Sequence, residues 1–315
     1  MPVPERFAEL AAQVRNWGRW GPADELGTLN LIDGAARRRG AEAVRTGQAF
    51  ALGLALSEHE GIQVGFVPGR VNPMRTMIAV NEPLSGDPAW IASSEDIVVM
   101  ALQCATHWDA LAHVSYGGVL YNGNPAGSVT SLGAARCGIG TVGPLVSRGV
   151  LLDVARARGT DVLDPGYPIT CDDLDAAAEQ ARTEVTPGDI VLVRTGQMVH
   201  LARRGARGRP NLTRYTWPTP GLTMATARWF SDRDVAAVAT DTMVLEVFPG
   251  EDDDLYLPVH LLHLVEMGMT QGQNWVLDDL AEACAEDGRY DFLLDATPLP
   301  FTGGLGSPVH PVAVR

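Results

Sequence analysis

The stretch Ile97-Val-Val-Met-Ala-Leu-Gln103-Cys-Ala-Thr106-His107-Trp-Asp109-Ala-Leu-Ala-His113 decides how this chain is read. It opens on an apolar run that predicts a buried strand, and polar groups appear only where that strand ends. If the extended form continues, the period of two puts Gln103, His107 and Asp109 on one face, and Ala105 leaves room beside them. If a helix begins near Asp109 instead, His113 stands one turn on, where the carboxylate would orient its imidazole as an acid or base. A divalent metal explains why His and Asp gather at the end of an apolar strand, because an unpaired buried carboxylate is costly. A buried Thr-His-x-Asp satisfied by its own hydrogen bonds explains the same residues, and spacing alone leaves both readings open.

Working outward, further strand-like runs lie at residues 49–56, 76–80, 149–154, 190–194, 235–239, 292–296 and 309–314. Helical patterns fall at 171–183, 223–230, 258–267 and 277–286, the third with Pro258 where a helix tolerates proline. This mixture predicts an α/β or α+β fold. The 34 glycines and 21 prolines are spread as turn punctuation without repeat or linker, so one domain is expected. The opening stretch 7–15 has helical spacing and runs into Trp17 and Trp20, which call for burial or a partner chain. Two long loops, 58–73 and 203–220, are candidates for a lid or a subunit contact as well as for plain mobility.

Composition removes several function classes. With 315 residues and 46% hydrophobic content the chain can bury a full core, so disorder is out. A formal charge of −14 repels phosphate backbones and anionic lipid, so neither nucleic acid nor membrane is an expected partner. Lysine is absent, which rules out a Schiff-base lysine. No basic segment followed by an apolar stretch appears at the start, and no apolar run reaches the roughly 18 residues of a membrane span, so a cytoplasmic protein is expected. The four cysteines lie far apart and read as reduced. Gly138-Ile-Gly-Thr-Val-Gly143 matches a dinucleotide fingerprint only in letters, because Pro144 and a strand follow where a helix is needed. No G-x-S-x-G elbow exists, and Glu251-Asp-Asp-Asp254 lacks the spacing of a calcium loop.

Gln103-x-x-Thr106-His107-x-Asp109-x-x-x-His113 resembles the H-x-G-T-H-x-D-x-x-x-H signature of the cyclase family, which includes bacterial kynurenine formamidases and isatin hydrolases. Trp17-Gly-Arg-Trp20 through Asn30 is similar to the N-terminal signature of its longer members. The segments 149–153, 188–196 and 241–246 resemble their central strands; Pro258-Val-His260, residues 268–273 and residues 303–308 resemble the rest of the site. The resemblance implies an α/β, swivelling β/β/α fold in a single domain. An N-terminal arm over residues 1–47 would pack on the core or a partner subunit, and residues 48–315 would form the catalytic domain. It implies a metal-dependent hydrolase acting on a small-molecule amide, cyclic amide or lactone, assembled as a homodimer or homotetramer.

By that resemblance His107, Asp109 and His260 match metal ligands, and His113 matches the acid or base, oriented by Asp109. Two positions depart: Gln103 stands for the first histidine and Gln273 for a later glutamate of a second metal position. An amide oxygen is a weaker, neutral ligand, so preference moves from zinc toward manganese and a dinuclear centre loses support. The expectation is one ion, Mn or Zn, on His107, Asp109 and His260. The alternative is a metal-free cyclase, isomerase or dehydratase in which Asp109 and His113 act as a pair and the glutamines donate hydrogen bonds. Trp108, His59, Phe66 and His263 are candidates for substrate contact.

Overall fold

The computed structural model describes residues 3–57, 67–87, 89–202, 218–251 and 254–315. In chain order its main elements are α1 (Glu5–Val14), α2 (Gly34–Ala43), β1 (Ala49–Ala51), β2 (Met74–Pro83), β3 (Ala92–Val99), β4 (His107–Asp109), β5 (Val146–Asp153), α3 (Cys171–Ala181), β6 (Ile190–Arg194), α4 (Thr226–Asp232), β7 (Ala237–Thr240), α5 (Pro258–His260), β8 (Gln271–Gln273), α6 (Asp278–Asp287), β9 (Asp291–Asp295), β10 (Gly306–Pro308) and β11 (Val312–Val314). Past His260, α5 widens into a π-helical segment, Leu261–Met267. The result is a single mixed α/β domain, as the sequence leads one to expect.

One nine-stranded sheet organises it, in the order β1-β11-β9-β5-β6-β7-β8-β4-β10. Its centre, β5-β6-β7-β8, is parallel, and antiparallel strands flank it on both sides. The apolar runs of the central strands are continuous: Val150, Leu151, Leu152, Ile190, Val191, Leu192 and Val193 are all buried, as parallel strands covered on both faces require. Helix α3 starts on a reciprocal cap, in which the Thr170 hydroxyl accepts from Asp173 N and the Asp173 carboxylate accepts from Thr170 N.

The N-terminal stretch packs on its own chain. Phe7, Ala11 and Val14 of α1 are buried, Phe7 meets Tyr116 edge to face, and Trp17 Nε1 donates to Val265 O at 2.7 Å. Two sequence expectations are corrected here. Ile97–Leu102 is not a buried strand: Ile97, Val98 and Val99 belong to β3, which pairs with β2 in a separate two-stranded ribbon and is exposed. An apolar run records what a surface is made of and not which surface covers it. Residues 102–106 are turn and bend, with Ala105 at φ +56°, so the extended form does not reach back to Gln103.

Candidate active site

Strand β4 is short, buried and interior to the sheet. Its two functional side chains, His107 and Asp109, are two residues apart and share a face. Trp108 faces the other way, into the core, where its indole meets Trp275 edge to face at 4.9 Å and its N–H donates to Ala296 O. Trp108 is therefore core packing and not a substrate platform. The antiparallel register with β8 sets Gln271 opposite Asp109 and Gln273 opposite His107, which brings both amides to the same face. Between them Gly272 is required, because a Cβ there would stand 2.6 Å from Trp275 Nε1 and 2.9 Å from Trp108 Cζ3. On the other side β10 sets Gly306 opposite Asp109.

The imidazole of His107 is fixed by its neighbours. Its Nδ1 contacts Ala105 O at 2.8 Å, a carbonyl that also receives the Asn274 amide. Donation from Nδ1–H leaves Nε2 as an open lone pair, buried and without a partner among the described residues, 3.5 Å from Asp109 Oδ1. Asp109 Oδ1 is likewise buried and unpartnered. His113 follows in a turn held by His113 N to Ala110 O, not in a helix, yet the turn brings its Nε2 within 3.8 Å of Asp109 Oδ1.

The second carboxylate oxygen is differently occupied. Asp109 Oδ2 accepts from Gln273 Nε2 at 2.9 Å and from Gln271 Nε2 at 3.2 Å, and His260 Nε2 lies 3.9 Å away. His260 sits in the first turn of α5 and hydrogen-bonds through Nδ1 to Glu246. That buried carboxylate also accepts from Val259 N and His260 N, both at 3.0 Å, so one side chain caps the helix and aims the imidazole. Gln273 Nε2 stands 3.2 Å from His260 Nε2. Behind Gln271, His263 Nδ1 meets the Gln271 amide oxygen at 3.2 Å, and its ring packs on Phe230. His263 is fully buried and acts on Gln271, which corrects its expected role in substrate contact.

These contacts set the protonation states. Burial alone would raise the Asp109 pKa, but His113, His107 and His260 outweigh it and hold the carboxyl well below its ordinary range. Burial lowers the His113 pKa against the pull of Asp109, so His113 is neutral at neutral pH. Burial disfavours the charged form of His260 too, yet Glu246 and then Asp109 prevail and raise its pKa. His263 is pushed down to about 3, chiefly by burial and then by His260.

The sequence-derived residues thus divide. His107, Asp109, His113, His260 and Gln273 come together. Among the described residues Gln103 shares no hydrogen bond with them, yet its amide nitrogen lies 2.9 Å from where a Cβ of Gly306 would sit, and Gly306 stands opposite Asp109, so the amide borders the face that carries Asp109. His59 and Phe66 lie outside the described residues. Glu246 and Gln271 were not singled out by sequence reasoning. The alternation Gln271-Gly-Gln273 could have flagged the second, whereas no local signal ties Glu246 to His260, 14 residues on. Arg70, just before β2, is a further neighbour; burial lowers its pKa and the Asp109 charge counters that.

As a metal test, among the described residues no three of His, Cys, Asp and Glu form a closed ligand group. The two sides of Asp109 nevertheless differ. The Oδ1 side offers two buried lone pairs without partners, the donor chemistry of one cation position. The Oδ2 side is supplied with amide protons by Gln271 and Gln273, which does not suit a second cation.

The family model described as "Putative cyclase" matches residues 54–247. A crystal structure of a novel cyclase is 34% identical, superposes with a TM-score of 0.86, and is matched over 97% of this chain and 99% of its own. Isatin hydrolase A from Ralstonia solanacearum (20% identity, TM-score 0.62, 89% of this chain, 94% of its own) shares the fold. Isatin hydrolase A from Labrenzia aggregata, bound to benzyl benzoate, shares it too (20% identity, TM-score 0.61, 87% and 94%). No curated protein matches the sequence.

Proposed function

The chain belongs to the cyclase family, and from that premise we propose that it is a hydrolase that opens a small amide, cyclic amide or lactone at Asp109. The observation that carries this reading is the pair of buried acceptors, His107 Nε2 and Asp109 Oδ1, unpartnered and 3.5 Å apart. Lone pairs so placed suit one divalent ion, held by His107, Asp109 and His260. Gln273 would complete the set by presenting its amide oxygen after a half-turn of the amide, a neutral ligand that favours manganese over zinc. Such an ion, when bound, polarises a carbonyl and brings the pKa of water down to about 7.

The remaining chemistry belongs to side chains of this protein. His113, neutral and the most open member of the cluster, takes a proton from the attacking water and returns it to the leaving nitrogen or oxygen. Asp109 orients it through Oδ1, and the Gln271 amide keeps Oδ1 turned that way by holding Oδ2. Glu246 keeps His260 in place. Arg70 offers positive charge to the carboxylate that ring opening creates. Pro308, opposite His107 in the sheet, also lines an apolar cavity of about 600 Å³ with Leu54, Leu56, Leu299 and Val309, which suits the body of an aromatic or aliphatic substrate. The isatin hydrolases that share the fold act by name on isatin, a cyclic amide, which supports a lactam as the first class to try.

A second reading is favoured by one observation: the Gln271 and Gln273 amides already offset charge on Asp109 Oδ2. In that reading Asp109 and His113 serve as an acid–base pair for a cyclisation, isomerisation or dehydration without metal. Elemental analysis of the purified protein, then titration with Mn²⁺ and Zn²⁺ and assay against N-formyl arylamines, lactams and lactones, separates the two. Near-stoichiometric uptake with metal-dependent hydrolysis supports the hydrolase. Failure to take up either ion, with turnover unaffected by chelator, overturns it in favour of the acid–base pair.

A further inference from the structure

Two buried residues beside the site hold left-handed backbone although neither is glycine: Ala105 at φ +56° and Asn274 at φ +60°. Asparagine visits that region at modest cost, but alanine is strained there by its Cβ and stays only where its surroundings hold it. The Ala105 carbonyl accepts from His107 Nδ1 at 2.8 Å and from Asn274 Nδ2 at 2.9 Å. A carbonyl only accepts, so it is the amide nitrogen of Asn274 that faces it. Asn274 is fixed in turn along its own backbone. Its N–H donates to Thr242 O at 2.9 Å, and its carbonyl accepts the Thr106 hydroxyl at 2.5 Å, which itself accepts from Leu54 N at 2.8 Å. The amide therefore reaches Ala105 from a firm base.

The arrangement so held is not the one that His107 and Asp109 would adopt by themselves. A neutral imidazole carries one proton, on Nδ1 or on Nε2. With the proton on Nδ1, His107 Nε2 and Asp109 Oδ1 stand 3.5 Å apart, both buried and without a partner among the described residues. Moving the proton to Nε2 would let His107 donate to Oδ1 and satisfy both atoms at once, and buried polar atoms left unpaired are costly. It would also fill the oxygen that faces His113. The Ala105 carbonyl opposes this collapse, because the lone pair of an unprotonated Nδ1 would then meet a carbonyl oxygen at 2.8 Å. It does so only while residue 105 stays left-handed; in a relaxed conformation the carbonyl swings off the ring. We propose that Asn274 is a positioning residue for His107: by pinning the Ala105 carbonyl against Nδ1 it keeps the imidazole proton there and keeps Nε2 open toward Asp109. Asparagine suits the task, since glycine and aspartate also tolerate the left-handed region but bring no amide donor. The inference rests on the site proposed at Asp109 but on neither of its two reactions, because an ion and His113 alike need Oδ1 unclaimed.

The test is long-range proton–nitrogen correlation spectroscopy of the histidine rings in the full chain, dialysed against chelator so that no ion occupies Nε2, at about pH 8, where an ordinary imidazole is neutral. Among the seven histidines, His107 is identified by the signals lost in His107→Gln. Two variants, Asn274→Gly and Asn274→Asp, remove the donor and keep a residue that tolerates the left-handed backbone, with folding checked by circular dichroism. The expected result is a wild type with its proton on Nδ1, and folded variants in which the ratio of Nε2–H to Nδ1–H is higher by about fivefold or more, the worth of one net hydrogen bond. A wild type with the proton on Nε2, or a folded variant with the wild-type ratio, overturns the proposal; an asparagine that serves only stability would lower the unfolding temperature and leave that ratio alone. If neither variant folds, the wild type decides: a nuclear Overhauser contact between His107 Nδ1–H and an Asn274 Nδ2–H supports the pin, and its absence overturns it. No readout involves metal or substrate, so the proposed hydrolysis can fail while this inference holds, and the reverse.

Discussion

Only residues 100–106 separate β3 from β4, and the two strands live in opposite environments. In β4 every side chain is buried, each polar one is oriented by neighbours, and its register with β8 and β10 is fixed on both edges. In β3 the apolar residues are more numerous, yet Ile97, Val98 and Val99 are left about half exposed. Hydrophobicity is therefore not what makes a strand part of the core. The difference lies in register: β4 has two neighbours that decide which face each side chain takes, whereas β3 has one neighbour and two open faces.

That contrast predicts that change at β4 is felt as lost chemistry and change at β3 is felt hardly at all within one chain. Asp109→Asn keeps the shape and removes the charge on which the surrounding side chains converge, so turnover should fall by about 10⁴-fold, the upper range for an acid–base group. A variant within about tenfold of wild type would show that the carboxylate is structural. His113→Ala should cost about 10²–10³-fold with unchanged metal content by elemental analysis, because His113 is placed to move a proton. Loss of bound metal alongside activity would assign it to the ligands instead. Glu246→Gln should weaken metal affinity or activity about 10–100-fold, read by calorimetric titration, since it aims His260 without touching substrate.

Two smaller effects sharpen the comparison through stability. At pH 7 both folded and unfolded chains hold His263 largely neutral. As pH falls through about 6.5 the unfolded chain takes up the proton, while the folded one refuses it until about 3, so stability drops by about 2 kcal/mol at pH 5 from this residue. Urea unfolding of His263→Gln against wild type between pH 7 and 5 should show the loss shrink in the variant; parallel pH curves would refute it. The raised pKa of His260 acts in the opposite sense and is common to both proteins. Thr76→Ala on the ribbon should change unfolding free energy by no more than about 0.5 kcal/mol, and a larger effect would mean that the ribbon is already packed within one chain.

Much of this is legible in the sequence alone. His107 and Asp109 share a face because they stand two positions apart, and that argument needs only the pleat. By the same argument Trp108, one residue off, belongs to the opposite face, so its expected substrate role contradicted the period used for its neighbours. The central strands at 149–154 and 190–194 and the helix at 171–183 are legible from continuous apolar runs and capping residues. What is not legible depends on pairing between distant segments. Gln271 reaches Asp109 through an antiparallel register 162 residues apart, and Glu246 reaches His260 by capping a helix whose position the sheet determines. The extended form expected to run back to Gln103 is broken for a local reason: Ala105 is left-handed, and nothing about alanine announces that conformation.

The edge-to-face pair Trp108–Trp275, pressed together across Gly272, lies directly behind the strand that carries His107 and Asp109. Two indoles 4.9 Å apart at 68° couple their electronic transitions, so the site strand carries its own optical label. A shift of β4 against β8, whether from ligand binding or from substitution, should alter the near-ultraviolet circular dichroism before any substrate has been identified, and a titration could be followed by light alone.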